Sequence, residues 1–364
     1  MVLLNPGPVN VSDRVRQALM RPDICHRESE FSELLADIRR KLLTAFVPGG
    51  EEDYTAIVLT GSGTAAVEAA VMSSMPTGKR AMVINNGVYG QRMSSMLWTR
   101  RLAIPDLKFA WGTAPDLTKV ELALKQHPEV HTVMVVHHET TLGFINPVED
   151  IADIVDRYGR VTLVDSVSGL GGESLDIVGA KLYMVAGAAQ KCIQGFPGAA
   201  FVLVRKGFME RVMKYPKHSW YLNLANYYED QERGSIPFTP AVQVYYGFRE
   251  ALDELLEEGV QARIQRFAGY AKKIREALES WGIKPVLSPD MRSNTLTAFQ
   301  LPEGLTYPRL HDQLKERGYV IYAGQGQLES QIFRVGNIGA LTDKNIEGFI
   351  AAFQDTLKQT TGNG

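Results

Sequence analysis

The chain has 364 residues, more than one domain usually holds, so a large domain with a smaller companion is expected. Its 45% hydrophobic and 22% charged residues exclude a disordered, collagen-like or disulfide-stapled chain. With 39 Lys and Arg against 41 Asp and Glu, net −2, no long-range field favours nucleic acid or an anionic membrane, and any anionic ligand must be held locally.

In chain order, Pro6-Gly7-Pro8 follows a short hydrophobic run that resembles neither a signal nor a transit peptide. No apolar stretch reaches the roughly 18–20 residues a membrane span needs. Cys25 and Cys192 are too few for a disulfide framework or a four-cysteine zinc site and fit a reducing compartment, so a cytoplasmic protein is expected. From about residue 55 to 205, apolar runs without period-2 alternation read as strands covered on both faces: 56–59, 81–84, 132–136, 161–164, 182–185 and 200–204. Helical stretches lie between them at 64–72, 91–99, 117–126 and 148–158. This alternation predicts an α/β fold with a mostly parallel sheet covered by helices on both faces. Beyond Pro240 the spacing predicts long amphipathic helices over 242–258 and 262–281, strands near 295–299, 320–322 and 332–335, and helices over 309–316 and 343–357. A smaller α+β C-terminal domain follows from that pattern. The expected division is an N-terminal segment, 1–20, packing on the small domain, a large domain over 21–240 and a small one over 241–364. Residues 358–364 read as a frayed tail.

Several residues carry chemistry. Gly61-Ser62-Gly63-Thr64 joins a strand to a helix, where backbone N–H groups and the positive end of the helix dipole can cradle a phosphate. The same stretch fits a dinucleotide fingerprint, but the acidic residue expected about 20 positions later is missing, because that stretch reads Ile84-Asn85-Asn86-Gly87. Asp165 ends an apolar strand at the sheet edge where open α/β folds bind ligands. Lys191, flanked by small residues after the next strand, can lose its proton when desolvated and form a Schiff base. Asp and Lys at one strand edge, beside a phosphate loop, suggest pyridoxal phosphate. His137-His138-Glu139 could suggest zinc, but adjacent strand residues face opposite sides, so no metal is expected. Tyr89 could offer a ring face to a planar cofactor. Thr140 and Thr141 could donate hydrogen bonds to it. Arg334 could clamp a substrate carboxylate or phosphonate.

Taken in order, Leu4-Asn5-Pro6-Gly7-Pro8, Thr60-Gly61-Ser62-Gly63-Thr64, Asn86-Gly87-Val88-Tyr89-Gly90, His138-Glu139-Thr140-Thr141, Val164-Asp165-Ser166-Val167, the stretch from Lys191 to Gly198 and Phe333-Arg334-Val335-Gly336-Asn337 resemble the class V, fold-type I pyridoxal-phosphate aminotransferases. The resemblance runs over nearly the whole chain and is most specific around Lys191. It implies that Lys191 holds the cofactor aldehyde and that Asp165 pairs with the pyridine nitrogen. Tyr89 would stack on the ring and Thr141 bond near its phenolic edge, with Gln190 next to Lys191. Ser62, Gly63 and Thr64 would hold the phosphate together with Thr239 from the other subunit of a homodimer, whose active site would lie at the interface. Arg334 would bind the substrate acid group, with Gly7 in the same pocket. The expected reaction is reversible amino transfer from 2-aminoethylphosphonate to pyruvate. A serine or alanine transaminase acting on glyoxylate or pyruvate is the alternative within the family, and a nicotinamide-dependent oxidoreductase the alternative from another class. Gln190 and Asn5 depart from the pattern of the phosphonate branch, where Asn and Thr are expected.

Overall fold

The computed structural model describes residues 1–361. Its centre is a seven-stranded sheet in the order Tyr54–Gly61, Gly198–Arg205, Met184–Ala188, Val161–Asp165, Val130–Val136, Arg80–Asn85, Leu107–Lys108. Every pairing is parallel except those of Gly198–Arg205, which runs antiparallel to both neighbours. Val130–Val136 and Val161–Asp165 are buried at every position, as expected of strands covered on both faces. The strand expected over 182–185 lies at Met184–Ala188, so it ends three residues nearer Lys191.

The helices that cover the sheet include Gly63–Ser73, Val88–Trp98, Leu117–Gln126 and Val148–Arg157, close to their expected places. Four further helices, Asp13–Ala18, Ser29–Phe46, Lys206–Val212 and Leu224–Glu232, have no counterpart among the expected elements. Ser29–Phe46 buries Phe31, Leu34, Leu35, Ile38, Leu42, Ala45 and Phe46, spaced as one helical stripe, but it begins at Glu28 without a side-chain cap to mark it. The helix Val242–Glu258 places Tyr245, Phe248, Leu252 and Leu255 in the same large apolar core as the sheet.

A second core gathers Leu4, Tyr270, Ile274, Leu278, Phe299, Leu310, Phe333, Phe349 and Phe353 around a three-stranded antiparallel sheet of Leu296–Gln300, Ile332–Gly336 and Tyr322–Ala323. The run expected as one strand over 320–322 is two. Tyr319–Val320 pairs in parallel with Val2–Leu3, and Tyr322–Ala323 joins the antiparallel sheet, with fully buried Ile321 between them. The N-terminal segment then crosses the end of Ile332–Gly336, where the Leu4 carbonyl accepts from Gly336 N–H at 2.9 Å. Lys358–Thr361, expected as frayed tail, continues the last helix, Asp343–Thr361; the rest of that tail, 362–364, lies outside the described residues. Among the described residues no helix is long and apolar enough to cross a membrane.

Candidate active site

Parallel pairing sets the site. Asp165 lies in register with Val136 on one side and Ala186 on the other, so the loops that follow these strands meet at one sheet edge, where doubly wound folds bind ligands. A cavity of about 140 Å³ there is lined by Ser62, Gly63, Thr64, Tyr89, Arg92, His138, Asp165, Gln190 and Lys191, among others. The structure thus brings together most of the residues singled out in the sequence. Burial pushes the Asp165 carboxyl up to about 6, and Oδ1 accepts from Val167 N–H at 3.0 Å. Burial lowers the Lys191 ammonium from its ordinary value, because the charged form loses water.

Lys191 Nζ donates to the Pro6 carbonyl, and Gly7 lies directly against it. A Cβ on Gly7, whose φ is +114°, would come within 2.7 Å of Lys191 Cδ, so only glycine fits both the backbone and the contact. Asn5 shapes this turn, its Oδ1 accepting from Gly7 N–H at 3.2 Å, which gives the departure at that position a local purpose.

Ser62 is the N-cap of Gly63–Ser73, whose first N–H groups have no acceptor inside the helix. A Cβ on Gly63 would stand 2.5 Å from Val167 Cγ1, so the absent side chain lets this positive helix end approach the Asp165 turn. Arg92 had not been singled out. Its Nη1 donates to Thr64 Oγ1 at 3.2 Å, and its guanidinium lies 4.7 Å from the Tyr89 ring centroid. It therefore adds a cation beside the helix N-terminus and supports one face of Tyr89. The signal was the three-residue spacing of Tyr89 and Arg92 on one helix.

Glu139 also has a structural task that the sequence reading missed. Its Oε2 accepts from Tyr89 N–H and Gly90 N–H at 3.1 and 3.2 Å, capping Val88–Trp98, which has no side-chain cap of its own. Its Oε1 accepts from the Thr141 hydroxyl at 2.6 Å, while Thr141 Oγ1 accepts from Val88 N–H at 3.0 Å. The Thr141 hydroxyl is thus engaged as donor and acceptor, and neither Thr140 nor Thr141 is among the residues that line the cavity. Thr140 Oγ1, by contrast, is buried without a partner. The two histidines diverge: His137 Nδ1 meets Ser166 Oγ at 2.9 Å and His138 Nδ1 meets the Ser168 carbonyl at 3.1 Å. Burial lowers them to about 4 and about 3, so both are neutral at ordinary pH.

Arg334 projects from Ile332–Gly336 and is 3% exposed. Nε donates to the Ala323 carbonyl at 2.8 Å, and Nη1 to the Thr140 carbonyl at 2.8 Å and Gln325 Oε1 at 3.1 Å. It forms no ion pair among the described residues, and Nη2 makes no hydrogen bond among them. Thr239 is exposed and lies outside the cavity lining of its own chain. Among the described residues no three His, Cys, Asp or Glu side chains cluster as a metal site would require.

The residues fit pyridoxal phosphate. Buried polar atoms are nearly always paired, yet Gln190 Oε1 and His138 Nε2, both on residues that line the cavity, are buried without partners. They stand with one carboxyl, one amine and one helix N-terminus, the set this cofactor requires.

Comparisons agree with this geometry. The family model "Aminotransferase class-V" matches residues 14–335. A protein of Bacillus cytotoxicus named 2-aminoethylphosphonate–pyruvate transaminase is 33% identical over 353 residues, 96% of each chain. One of the same name from Klebsiella pneumoniae is 33% identical over 363 residues, 98% of this chain and 97% of its own. Among solved structures, an alanine–glyoxylate aminotransferase from Nostoc sp. superposes with a TM-score of 0.90 at 25% identity, covering 98% of this chain and 95% of that one. An aspartate aminotransferase from Thermus thermophilus gives 0.89 at 26%, covering 99% and 100%. The dinucleotide reading of the Gly61 loop is therefore set aside: with the family match spanning most of the chain and the site built for its cofactor, this protein belongs to the class V aminotransferases and is a pyridoxal-phosphate-dependent transaminase.

Proposed function

We propose that the enzyme transfers the amino group of 2-aminoethylphosphonate to pyruvate, giving phosphonoacetaldehyde and L-alanine, reversibly and in the cytoplasm. Arg334 carries this reading. A buried guanidinium whose hydrogen bonds all go to neutral oxygens lacks the anion that burial of a cation requires, and an acid group on the substrate supplies it. The names of relatives that match over nearly the full length point to a phosphonate as that acid. Amino transfer between alanine or serine and glyoxylate is the second reading, favoured by the likeness to the Nostoc enzyme and by Gln190.

When bound, pyridoxal phosphate supplies an aldehyde that bonds to amines and a protonated ring that draws electrons from the substrate C–H bond. The chain's own groups do the rest. Lys191, whose ammonium burial pulls below its ordinary value, would hold the aldehyde through Nζ and would serve as the base that moves a proton from the substrate carbon. Asp165 holds a proton on the pyridine nitrogen. Ser62, Gly63 and Thr64 grip the phosphate with the helix dipole and Arg92. Tyr89 would stack on the ring, Thr141 would lie beside its phenolic edge, Gln190 and Thr140 would offer it polar atoms, and Gly7 keeps Lys191 in reach. Thr239 from a second copy completes the phosphate site of a homodimer; its exposure within one chain supports this. The division into segments 1–20, 21–240 and 241–364 belongs to the same reading, with the acid-binding Arg334 on the smaller part.

The test is product formation. Purified enzyme given 2-aminoethylphosphonate and pyruvate should form alanine, followed by proton NMR, and Lys191→Ala should not. Alanine absent from that mixture, with brisk amino transfer from alanine to glyoxylate, would establish the second reading instead.

A further inference from the structure

The contact between Arg334 and Gln325 has a consequence for which acid the site prefers. A guanidinium has only N–H donors, so the Gln325 amide must face it through Oε1, at 3.1 Å from Nη1. That fixes the other end of the amide: Nε2, with its N–H pair, lies beside Oε1 and makes no hydrogen bond within the described residues. Arg334 Nη2 is likewise unspent, because Nε and Nη1 are fully engaged. The backbone holds this pair in place. Gly324 N–H donates to the Ile332 carbonyl and Leu328 N–H to the Gln325 carbonyl, both at 3.1 Å, tying the loop to the strand that carries Arg334. A Cβ on Gly324 would lie 2.2 Å from the Leu328 carbonyl oxygen, so the loop is tight. Gln325 itself is half-buried.

We propose that Gln325 is a specificity-determining residue of the acid-group subsite, its Nε2 amide donating to an oxygen that Arg334 Nη2 does not reach. This inference rests on the reading of Arg334 as the acid-binding group. A carboxylate has two oxygens, matched in number by the two free N–H groups of Arg334 Nη2. A phosphonate has three oxygens around a tetrahedral phosphorus, and a donor beyond Nη2 serves the extra one. Loss of Gln325 therefore costs a phosphonate donor more than a carboxylate donor.

The experiment compares kcat/KM for 2-aminoethylphosphonate and for alanine, each as amino donor to saturating glyoxylate, in wild type, Gln325→Met and Gln325→Ala, all as holoenzyme. The expected result is a loss of roughly 10- to 100-fold for the phosphonate, as for removal of one hydrogen bond to a charged group, mainly in KM, with alanine changed by less than about threefold. An equal loss on both donors would overturn the inference, leaving Gln325 as a support that orients Arg334; so would no change on either. Wild-type enzyme that does not use 2-aminoethylphosphonate at all would refute the functional reading itself, which keeps the two failures distinct. The Met variant preserves side-chain length, so agreement between Met and Ala separates the lost amide from any repacking of the loop.

Discussion

Replacing Arg334 by alanine isolates the acid clamp. Nη2 has both N–H groups unspent, since the other donors go to Ala323, Thr140 and Gln325. Each hydrogen bond between charged groups contributes about 1.5–3 kcal/mol, so two lost bonds remove roughly 3–6 kcal/mol from substrate binding. At about 1.4 kcal/mol per factor of ten, kcat/KM should fall by roughly 10²–10⁴. The variant also leaves the Ala323 and Thr140 carbonyls without a donor, which should lower stability by about 1–3 kcal/mol for each that water cannot reach. Steady-state kinetics with both substrates measures the first effect and urea unfolding the second. Arg334→Lys keeps the charge but not the fork, so it should fall between wild type and alanine. Cofactor absorbance should be unchanged in both variants. Wild-type saturation by both substrates in Arg334→Ala would refute the assignment.

Other consequences concern the walls of the site. Gly7→Ala would adopt a strained φ and press on Lys191, at a cost of about 1–3 kcal/mol in backbone strain alone; the protein should fold but lose most of its kcat and show altered cofactor absorbance, and an unaltered spectrum would argue against the contact. Thr140→Val should weaken cofactor retention on gel filtration, because its hydroxyl is unspent. Thr141→Val should lower the melting temperature, because its hydroxyl serves Glu139 and Val88; an unchanged melting temperature would refute that role. Glu173, buried against Asn294 and Thr295, is pushed up to about 8 by desolvation. A carboxyl raised in the folded state contributes stability that is complete below its ordinary value of 4.5 and is lost as pH rises toward 8. The slope is about 1.4 kcal/mol per pH unit at most. Urea midpoints between pH 5 and 8 should therefore fall for wild type and flatten in Glu173→Gln, and equal slopes would refute the assignment.

The parts of the site that depend on local pattern are legible in the amino-acid sequence. Asp165 ends an apolar strand and Lys191 follows the next one, so each is placed at a sheet edge by its own neighbours. The glycine loop announces its strand-to-helix turn in the same way. What depends on pairing between distant segments is not legible. The reversed direction of Gly198–Arg205 follows from its partners, Tyr54–Gly61 and Met184–Ala188, and nothing within its own residues encodes that choice. The run 320–322 reads as one strand because nothing local shows that Ile321 is buried between two sheets. Glu139 caps a helix that begins about 50 residues earlier, and this contact decides which of two adjacent threonines has a free hydroxyl. Gln325 and Arg334 meet across a hairpin whose residues give no chemical signal beyond the arginine. The helix Ser29–Phe46 is a different case: its apolar stripe is present in the sequence, but without a capping residue its start is unmarked.

The donor preference tests the central claim most directly. Wild-type holoenzyme is assayed with 2-aminoethylphosphonate and serine, each against pyruvate and glyoxylate, and with alanine against glyoxylate, and kcat/KM is ranked. The pair of 2-aminoethylphosphonate and pyruvate should rank first, with phosphonoacetaldehyde and alanine formed in equal amounts. A higher rank for alanine or serine with glyoxylate, or no turnover of the phosphonate, would contradict the account and assign Arg334 to a carboxylate.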